Sequence, residues 1–423
     1  MRTNPAPNLT PDTELAARLF DALRDASRDG EGVTRDAYGP GERIAHAIVR
    51  AAAEDLALET RVDHAGNLFM TLPGADRAAK RIVLGSHLDS VREGGNYDGA
   101  AGVLAGLAAV GGMVRAGFVP ARDVTVAALR AEEAGAWFPT SYPGSNAALG
   151  RLPAAALDIP RLDTGRSLAD HMAGEGFDPA AVRAGQRSLS AADTAAYLEL
   201  HIEQGPVLGA EAIPVGIVTG IPGSRRYRAA RVVGEYNHSG ATPRRYRKDA
   251  AIALAELAFQ LDEAWGAMEA RGHRMVCTFC VLGTTAEAGF TKIPGEAQFQ
   301  LDMRSVDPAS IEELDAELHR LIGRIETRRG VRFELGAMSS STASPMDAEV
   351  QAQLAAAAEA AGVPHRTMAS GGGHDAAAFA QAGIPAGMLF VRNQNGSHNP
   401  HEAMRREDFD AACAVVLRWA MQA

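Results

Sequence analysis

Hydrophobic positions recur with helical spacing over residues 12–28 and 42–57, with polar loops between them. RIVLGSHLDS (81–90) is a short apolar run that ends in polar residues, and it predicts a strand. Residues 98–116 are small and apolar with a helical look, and DVTVAALRAEE (123–133) is again an apolar strand that ends in acids. Strand, helix and strand joined by crossovers of this length predict a parallel sheet. His87 and the pair Glu132–Glu133 then lie at the carboxyl ends of strands, the edge at which sites form in open α/β sheets.

Residues 215–336 read as a unit of their own. The order is strand (217–235), helix (249–270), strand (275–283), strand (296–305), helix (310–329) and strand (331–338). This β-α-β-β-α-β order predicts a ferredoxin-like α+β insertion. The chain then returns to helix and loop, with GGGHDAAAFAQAG (371–383) and the strand PAGMLFV ahead of His398. The expected fold is α/β: a discontinuous domain over 1–214 and 337–423, with a mostly parallel sheet and helices on both faces, and an inserted domain over 215–336. No internal repeat is seen.

Composition narrows this picture without changing it. A chain of 423 residues exceeds one core of typical size, so two domains are expected. With 46% hydrophobic and 22% charged residues it reads as soluble and globular. No run of about 18 apolar residues occurs, so no membrane span is expected, and the opening MRTNPAPNLTPDTELAARLF lacks the basic-then-apolar order of a signal peptide. The net charge of −10 argues against nucleic-acid binding. Three cysteines make no disulfide framework, and cytoplasm is the expected compartment. Cys277 and Cys280 form a C-x-x-C on a predicted strand, where residues three apart face opposite sides, so core packing is the expected role.

Five residues read as a two-metal site: His87, Asp98, Glu133, His201 and His398. Imidazoles and carboxylates suit zinc, manganese, nickel or cobalt, and one carboxylate can bridge a pair of ions. His87 and Asp98 are joined by a glycine-rich loop, and Asp89 is placed to accept from the imidazole N–H. A turn at the strand end can direct Glu133 to a metal and leave Glu132 as a base. His201 sits in the mostly apolar LELHIEQGPVL (198–208), with Glu203 expected behind it and Gln204 expected on the substrate. His398, His401 and Glu402 lie in a Gly/Asn/Pro loop suited to the mouth of a site.

These motifs, in this order, resemble the amidase/carbamoylase branch of the dinuclear metallopeptidase superfamily, which includes N-carbamoyl-L-amino-acid hydrolases, β-ureidopropionases and allantoate amidohydrolases. The resemblance runs from about residue 40 to 415, and LELHIEQGPVL followed by GIVTGIPG is its most specific part. It implies that Asp98 bridges two divalent ions, that His87 and His201 bind different ions, and that Glu133 and His398 complete the two shells. Glu132 would take a proton from the attacking water and deliver it to the leaving nitrogen. The insertion would be a dimerisation and lid domain: His238 of EYNHSGATP would stabilise the oxyanion in the partner's site, so a homodimer is implied. Arg304 of LDMRS would grip a substrate carboxylate. SGGGHDA (370–376) would place Gly371 and Gly372 near the substrate, with His374 and Asp375 supporting them and Glu402 behind the metals.

The chain also departs from that pattern. Arg244 stands where a methionine is common, Thr291-Lys292 where Asn-Val is common, and Ala134-Gly135-Ala136-Trp137 replaces a small-polar and arginine pair. The metal chemistry reads as intact and the substrate pocket, Thr291 included, as altered. The expected activity is hydrolysis of a linear C–N bond in a small carboxylated substrate, foremost an N-carbamoyl-L-amino acid. Allantoate or another ureido acid, an N-acyl amide, or an unusual acidic or extended substrate are the alternatives. A silent binding protein on the same fold would be expected to lack Glu132 or a ligand, and none is missing.

Overall fold

The computed structural model describes residues 9–423, the side chain of Ala134 excepted, and divides them into two compact units, one running to Thr219 and resuming at Pro345, the other spanning Gly220–Ser344. The large sheet of the first unit has eight strands: β1 (Glu59–Val62), β2 (Leu68–Leu72), β3 (Arg81–His87), β4 (Val124–Leu129), β5 (Thr194–Ile202), β6 (Val215–Val218), β7 (His365–Met368) and β8 (Ala386–Val391). They form one sheet in the order β7-β6-β8-β5-β3-β4-β2-β1. The central run β8-β5-β3-β4 is parallel, as is β7–β6, while β6 joins β8 and β2 joins β4 and β1 antiparallel.

Helices α1 (Thr13–Ser27), α2 (Pro40–Asp55), α3 (Ala100–Arg115), α4 (Ala348–Ala361), α5 (Ala376–Gln381) and α6 (Arg406–Gln422) flank this sheet. The two-residue period of β5 decides what each face meets. Ala196, Leu198, Leu200 and Ile202 enter the apolar cluster shared by α1, α2, α3, α4 and α6. Tyr197 points the other way and stacks on Phe379 of α5, ring centroids 3.7 Å apart. His201 falls in the same register as Tyr197, so the pattern that buries one face delivers an imidazole to the other. A one-residue slip would bury it among leucines. The small residues of α3 let it lie directly on the sheet: a Cβ on Gly102 would come 2.2 Å from the Leu200 carbonyl oxygen. That packing holds the Asp98 loop, which precedes α3, close to the end of β5.

The second unit has antiparallel strands in the order Met275–Thr284, Glu296–Ser305, Gly223–Val233, Arg332–Glu334, with Met338–Ser341 also paired to Gly223–Val233. Helices Ala250–Ala270 and Pro308–Arg329 cover one face, through Leu254, Leu257 and Leu261 from the first and Leu314, Leu318 and Leu321 from the second. This is the ferredoxin-like arrangement, but its limits differ from the expected 215–336. Residues Val215–Val218 are a strand of the large sheet, paired with β7 and β8, so the expected strand 217–235 is two strands in two sheets. At the other end the predicted strand 331–338 is broken, and Met338–Ser341 still belongs to the insertion.

The cysteine expectation needs the same correction. Cys277 is half-buried against the insertion's core, but Cys280 is exposed. The register of Met275–Thr284 shifts between Phe279 and Val281, which leaves Cys280 as the extra residue of a β-bulge. Among the described residues no helix is long and apolar enough to cross a membrane.

Candidate metal centre

Four chain segments of the first unit meet at the carboxyl edge of the parallel strands. His87 ends β3, and its Nδ1 lies 3.1 Å from the Asp89 carbonyl oxygen and 3.3 Å from the Asp89 carboxylate. The same carboxylate accepts the backbone N–H groups of Glu132 and Glu133, each at 3.0 Å. Asp89 therefore locks the imidazole and the two-acid turn to one anchor. Beyond β4 the chain turns sharply, with Ala131 at φ +57°. Buried Glu42 holds that turn by accepting from Ala131 N–H at 2.9 Å while pairing with Arg130, also at 2.9 Å. Nothing in the sequence around Glu42 marks this role, because it occupies an ordinary polar position near the start of α2.

Asp98 lies between two groups of ligand-type residues: His87, Asp98 and His201, and Asp98, Glu133 and His398, the candidate ligand atoms of each lying within 4.8 Å of one another. Asp98 Oδ1 is 3.0 Å from His201 Nε2 and 3.6 Å from His87 Nε2. Asp98 Oδ2 is 3.5 Å from His398 Nε2, which is 3.2 Å from Glu133 Oε1. Asp98 belongs to both groups, but the histidines are not divided between the groups as expected. His87 and His201 face the same carboxylate oxygen and group together, because β3 and β5 are adjacent parallel strands that end side by side.

The residues fit divalent cations. His87 Nε2 is buried with no hydrogen-bond partner, although it is aimed at the Asp98 and Glu132 carboxylates. An orphaned buried imidazole nitrogen is costly unless a ligand completes it. The electrostatics agree. Burial, together with the neighbouring Glu133 and Asp375 charges, pushes the Glu132 carboxyl well above its ordinary range, and burial and Asp98 push Glu133 up. Burial would also raise Asp98, but His201 and His398 hold it well below. Hydrogen bonds to Asp98 and Glu133 raise His398 to about 11. A cation held among these carboxylates would offset the charge that raises Glu132, Glu133 and His398.

Around this constellation, Gln204 (φ +62°) donates from its side-chain amide to Asp98 Oδ2 at 2.7 Å. Ser397, which the sequence did not single out, donates to Asp98 Oδ2 at 2.7 Å and lies 2.6 Å from Glu402 Oε2. Glu402 in turn accepts from the backbone N–H groups of Tyr97 and Asp98, and so holds the bridging residue from behind. His374 is buried against the His201 ring, centroids 4.4 Å apart, and Asp375 is buried nearby with its carboxyl pushed up to about 8 by burial and Glu199. One expectation fails: Glu203 does not stand behind His201 but accepts from Val207 and Leu208 N–H and holds the start of the short helix Val207–Glu211. His401 is exposed in its loop, bound there through its backbone.

Three expected residues belong to the inserted unit. His238 pairs in register with Lys292, and Ser239 N–H donates to the Thr291 carbonyl, so these segments are neighbours. His238 Nδ1 accepts from Gly240 and Ala241 N–H, which leaves Nε2 as the protonated, donating nitrogen. Arg304 is engaged by Asp302, at 2.9 Å from Nε and 2.8 Å from Nη2.

Gly99 offers a direct test of the packing around His87. It sits at φ +64°, and a Cβ there would come 2.4 Å from the His87 ring. Gly99→Ala is expected to displace that imidazole. Elemental analysis should show lower metal content while circular dichroism stays that of the wild type; full occupancy would count against His87 as a ligand.

Comparison with known proteins gives the family. A family model described as peptidase family M20/M25/M40 matches residues 83–422. The chain is 34% identical over 412 residues to an N-carbamoyl-L-amino-acid amidohydrolase of Paenarthrobacter aurescens, covering 95% of this chain and 97% of that protein. It is 35% identical over 383 residues to an allantoate amidohydrolase of Bacillus subtilis (strain 168), covering 89% of each. A crystal structure of a hydantoinase/carbamoylase family amidase from Burkholderia ambifaria superposes with a TM-score of 0.85 at 33% identity, covering 98% of both chains.

Proposed function

The chain belongs to peptidase family M20/M25/M40, in its amidase/carbamoylase branch, and we propose that it hydrolyses the ureido C–N bond of an N-carbamoyl-L-amino acid. As a member of that branch it is a hydrolase of C–N bonds in ureides and amides, and a ureido-acid amidohydrolase. The observation that carries the reading is the Asp98 carboxylate set between two ligand groups, with Glu132 beside one of them. In this reading His87, Asp98 and His201 would hold one ion and Asp98, Glu133 and His398 the other. Divalent ions held there would lower the pKa of a water and polarise the carbonyl it attacks. Glu132 takes the proton of the attacking water and delivers it to the leaving nitrogen. His238 donates from Nε2 to the oxygen on which charge develops. Arg304 binds the substrate carboxylate, and Thr291, with a short hydroxyl in place of an amide, makes a weaker companion to it. Gly371 and Gly372 line the substrate beside Gln204.

The test is a panel of N-carbamoyl, N-formyl and N-acetyl amino acids, together with allantoate and a dicarboxylic N-carbamoyl acid, followed by ammonia and amine release. Turnover is expected to favour the carbamoyl acids. Arg244 and Lys292 add positive charge where the branch commonly has uncharged residues, which in this reading favours acidic or extended members of the series. A dicarboxylic substrate should therefore exceed N-carbamoyl-methionine in kcat/KM, and Arg244→Met should narrow the gap. Preference for allantoate would assign the alternative ureido substrate.

We also propose that the enzyme works as a homodimer built through the insertion. Strand Met275–Thr284 is the outer strand of its sheet, with Val276, Val281 and Leu282 exposed, and Phe259 of the adjoining helix is 66% exposed. An apolar edge strand is a pairing surface. If His238 of the partner subunit completes each site, mixing His238→Ala with Glu132→Gln subunits should restore activity, since a hybrid contains one site with both residues intact. No recovery after demonstrated subunit exchange would place His238 outside the partner's reaction.

A further inference from the structure

Tyr142 belongs to none of the motifs described above, yet it lies at their meeting point. It follows the two-acid turn in a left-handed conformation, φ +49°, which a bulky residue rarely adopts. The segment after it is fastened to the strand end that carries Glu132. Gly144 N–H donates to the Arg130 carbonyl at 3.0 Å, and Asn67 donates to the Gly144 carbonyl, also at 3.0 Å. The helix Pro143–Ala148 that Tyr142 leads into packs against α5, which follows the glycine turn 371–373. Tyr142 thus spans from the strand end of the acids to that turn.

Its hydroxyl oxygen rests on the turn. A Cβ on Gly373 would fall 1.9 Å from Tyr142 Oη, so a side chain there would displace the phenol. On the preceding residue, a Cβ at Gly372 would fall 3.2 Å from Gln204 Oε1. Because the Gln204 amide nitrogen donates to Asp98 Oδ2, its Oε1 is the free end of the amide, directed at the turn. Two oxygens able to accept hydrogen bonds, one amide and one phenolic, therefore sit over neighbouring residues whose Cα atoms are about 3.8 Å apart. Gln204 is hydrogen-bonded through its amide nitrogen to the carboxylate that joins the two ligand groups.

We propose that Tyr142 is a specificity-determining residue which, with Gln204 Oε1, accepts the two N–H bonds of the terminal ureido –NH2. The inference rests on the ureido-acid reading above and extends it. A carbamoyl group presents two donors at that position, whereas a formyl hydrogen or an acetyl methyl presents none. A site that offers acceptors there discriminates against groups that leave them unpaired.

The experiment compares Tyr142→Phe with the wild type on an N-carbamoyl amino acid and the N-formyl derivative of the same amino acid, with zinc or manganese content measured on both proteins. Loss of one neutral hydrogen bond predicts a fall of about 3–10-fold in kcat/KM for the carbamoyl substrate. The formyl substrate should be unchanged, which also shows that the variant folds and keeps its metals. An equal fall on both substrates would make Tyr142 a structural residue and overturn the proposal, as would no change on either. A wild type that turns over the formyl but not the carbamoyl substrate would overturn the ureido reading itself and this inference with it, and that result would be visible before any variant is made.

Discussion

Glu132→Gln is expected to lose about 10²–10⁴-fold in kcat while the fold and both ions are retained. The amide keeps the size and shape of the side chain, and the backbone N–H of residue 132 would still be held by Asp89 at 3.0 Å. What disappears is a group that can take up a proton and give it back. Glu132 suits that role because it is buried among carboxylates, which raises its affinity for the proton, and because its Oε2 lies 3.7 Å from His87 Nε2. Glu133→Gln makes the contrast: its side chain faces His398 at 3.2 Å, so metal content should fall along with the rate. A Glu132→Gln enzyme with near-normal turnover and full metal content would remove Glu132 from the chemistry.

Asp98→Ala is expected to abolish activity and to empty both ion positions together. The Asp98 carboxylate offers one oxygen to each ligand group, and among the described residues it is the ligand-type residue that both groups share. Combinations of the histidine variants test the grouping itself. His87→Ala with His201→Ala should cost one ion per chain, no more than either alone, because the two imidazoles face the same oxygen of Asp98. His87→Ala with His398→Ala should cost both. The reverse pattern would restore the pairing first expected, with the two β-strand histidines on different ions. Chelation of the wild type should lower the melting temperature as well as activity, since a ligand at about 100 times its Kd stabilises the native state by about 2.7 kcal/mol. A chelated protein that melts at the holoenzyme temperature would mean that the ions contribute nothing to the native state.

The sequence by itself determined the inventory of candidate ligands and the branch of the family, because both reside in short segments whose chemistry does not depend on their neighbours. The apolar strand that ends at His87, the acids that end β4, and LELHIEQG each combine a period-two burial pattern with a polar terminus. That combination is local, and so it was legible. Which candidate ligands group together was not, since it depends on β3 lying beside β5 in the sheet. The role of Glu203 was misjudged for the same kind of reason: the left-handed backbone at Gln204 turns the chain, and Glu203 is left to hold Val207 and Leu208 N–H. The limits of the insertion depended on whether Val215–Val218 paired with β8 or with its own successors. Glu42, Ser397 and Tyr142 carry no local signature at all. Each acquires its place from a partner distant in the chain, Ala131, Asp98 and Gly373 respectively, and such contacts exist only once the layers have packed.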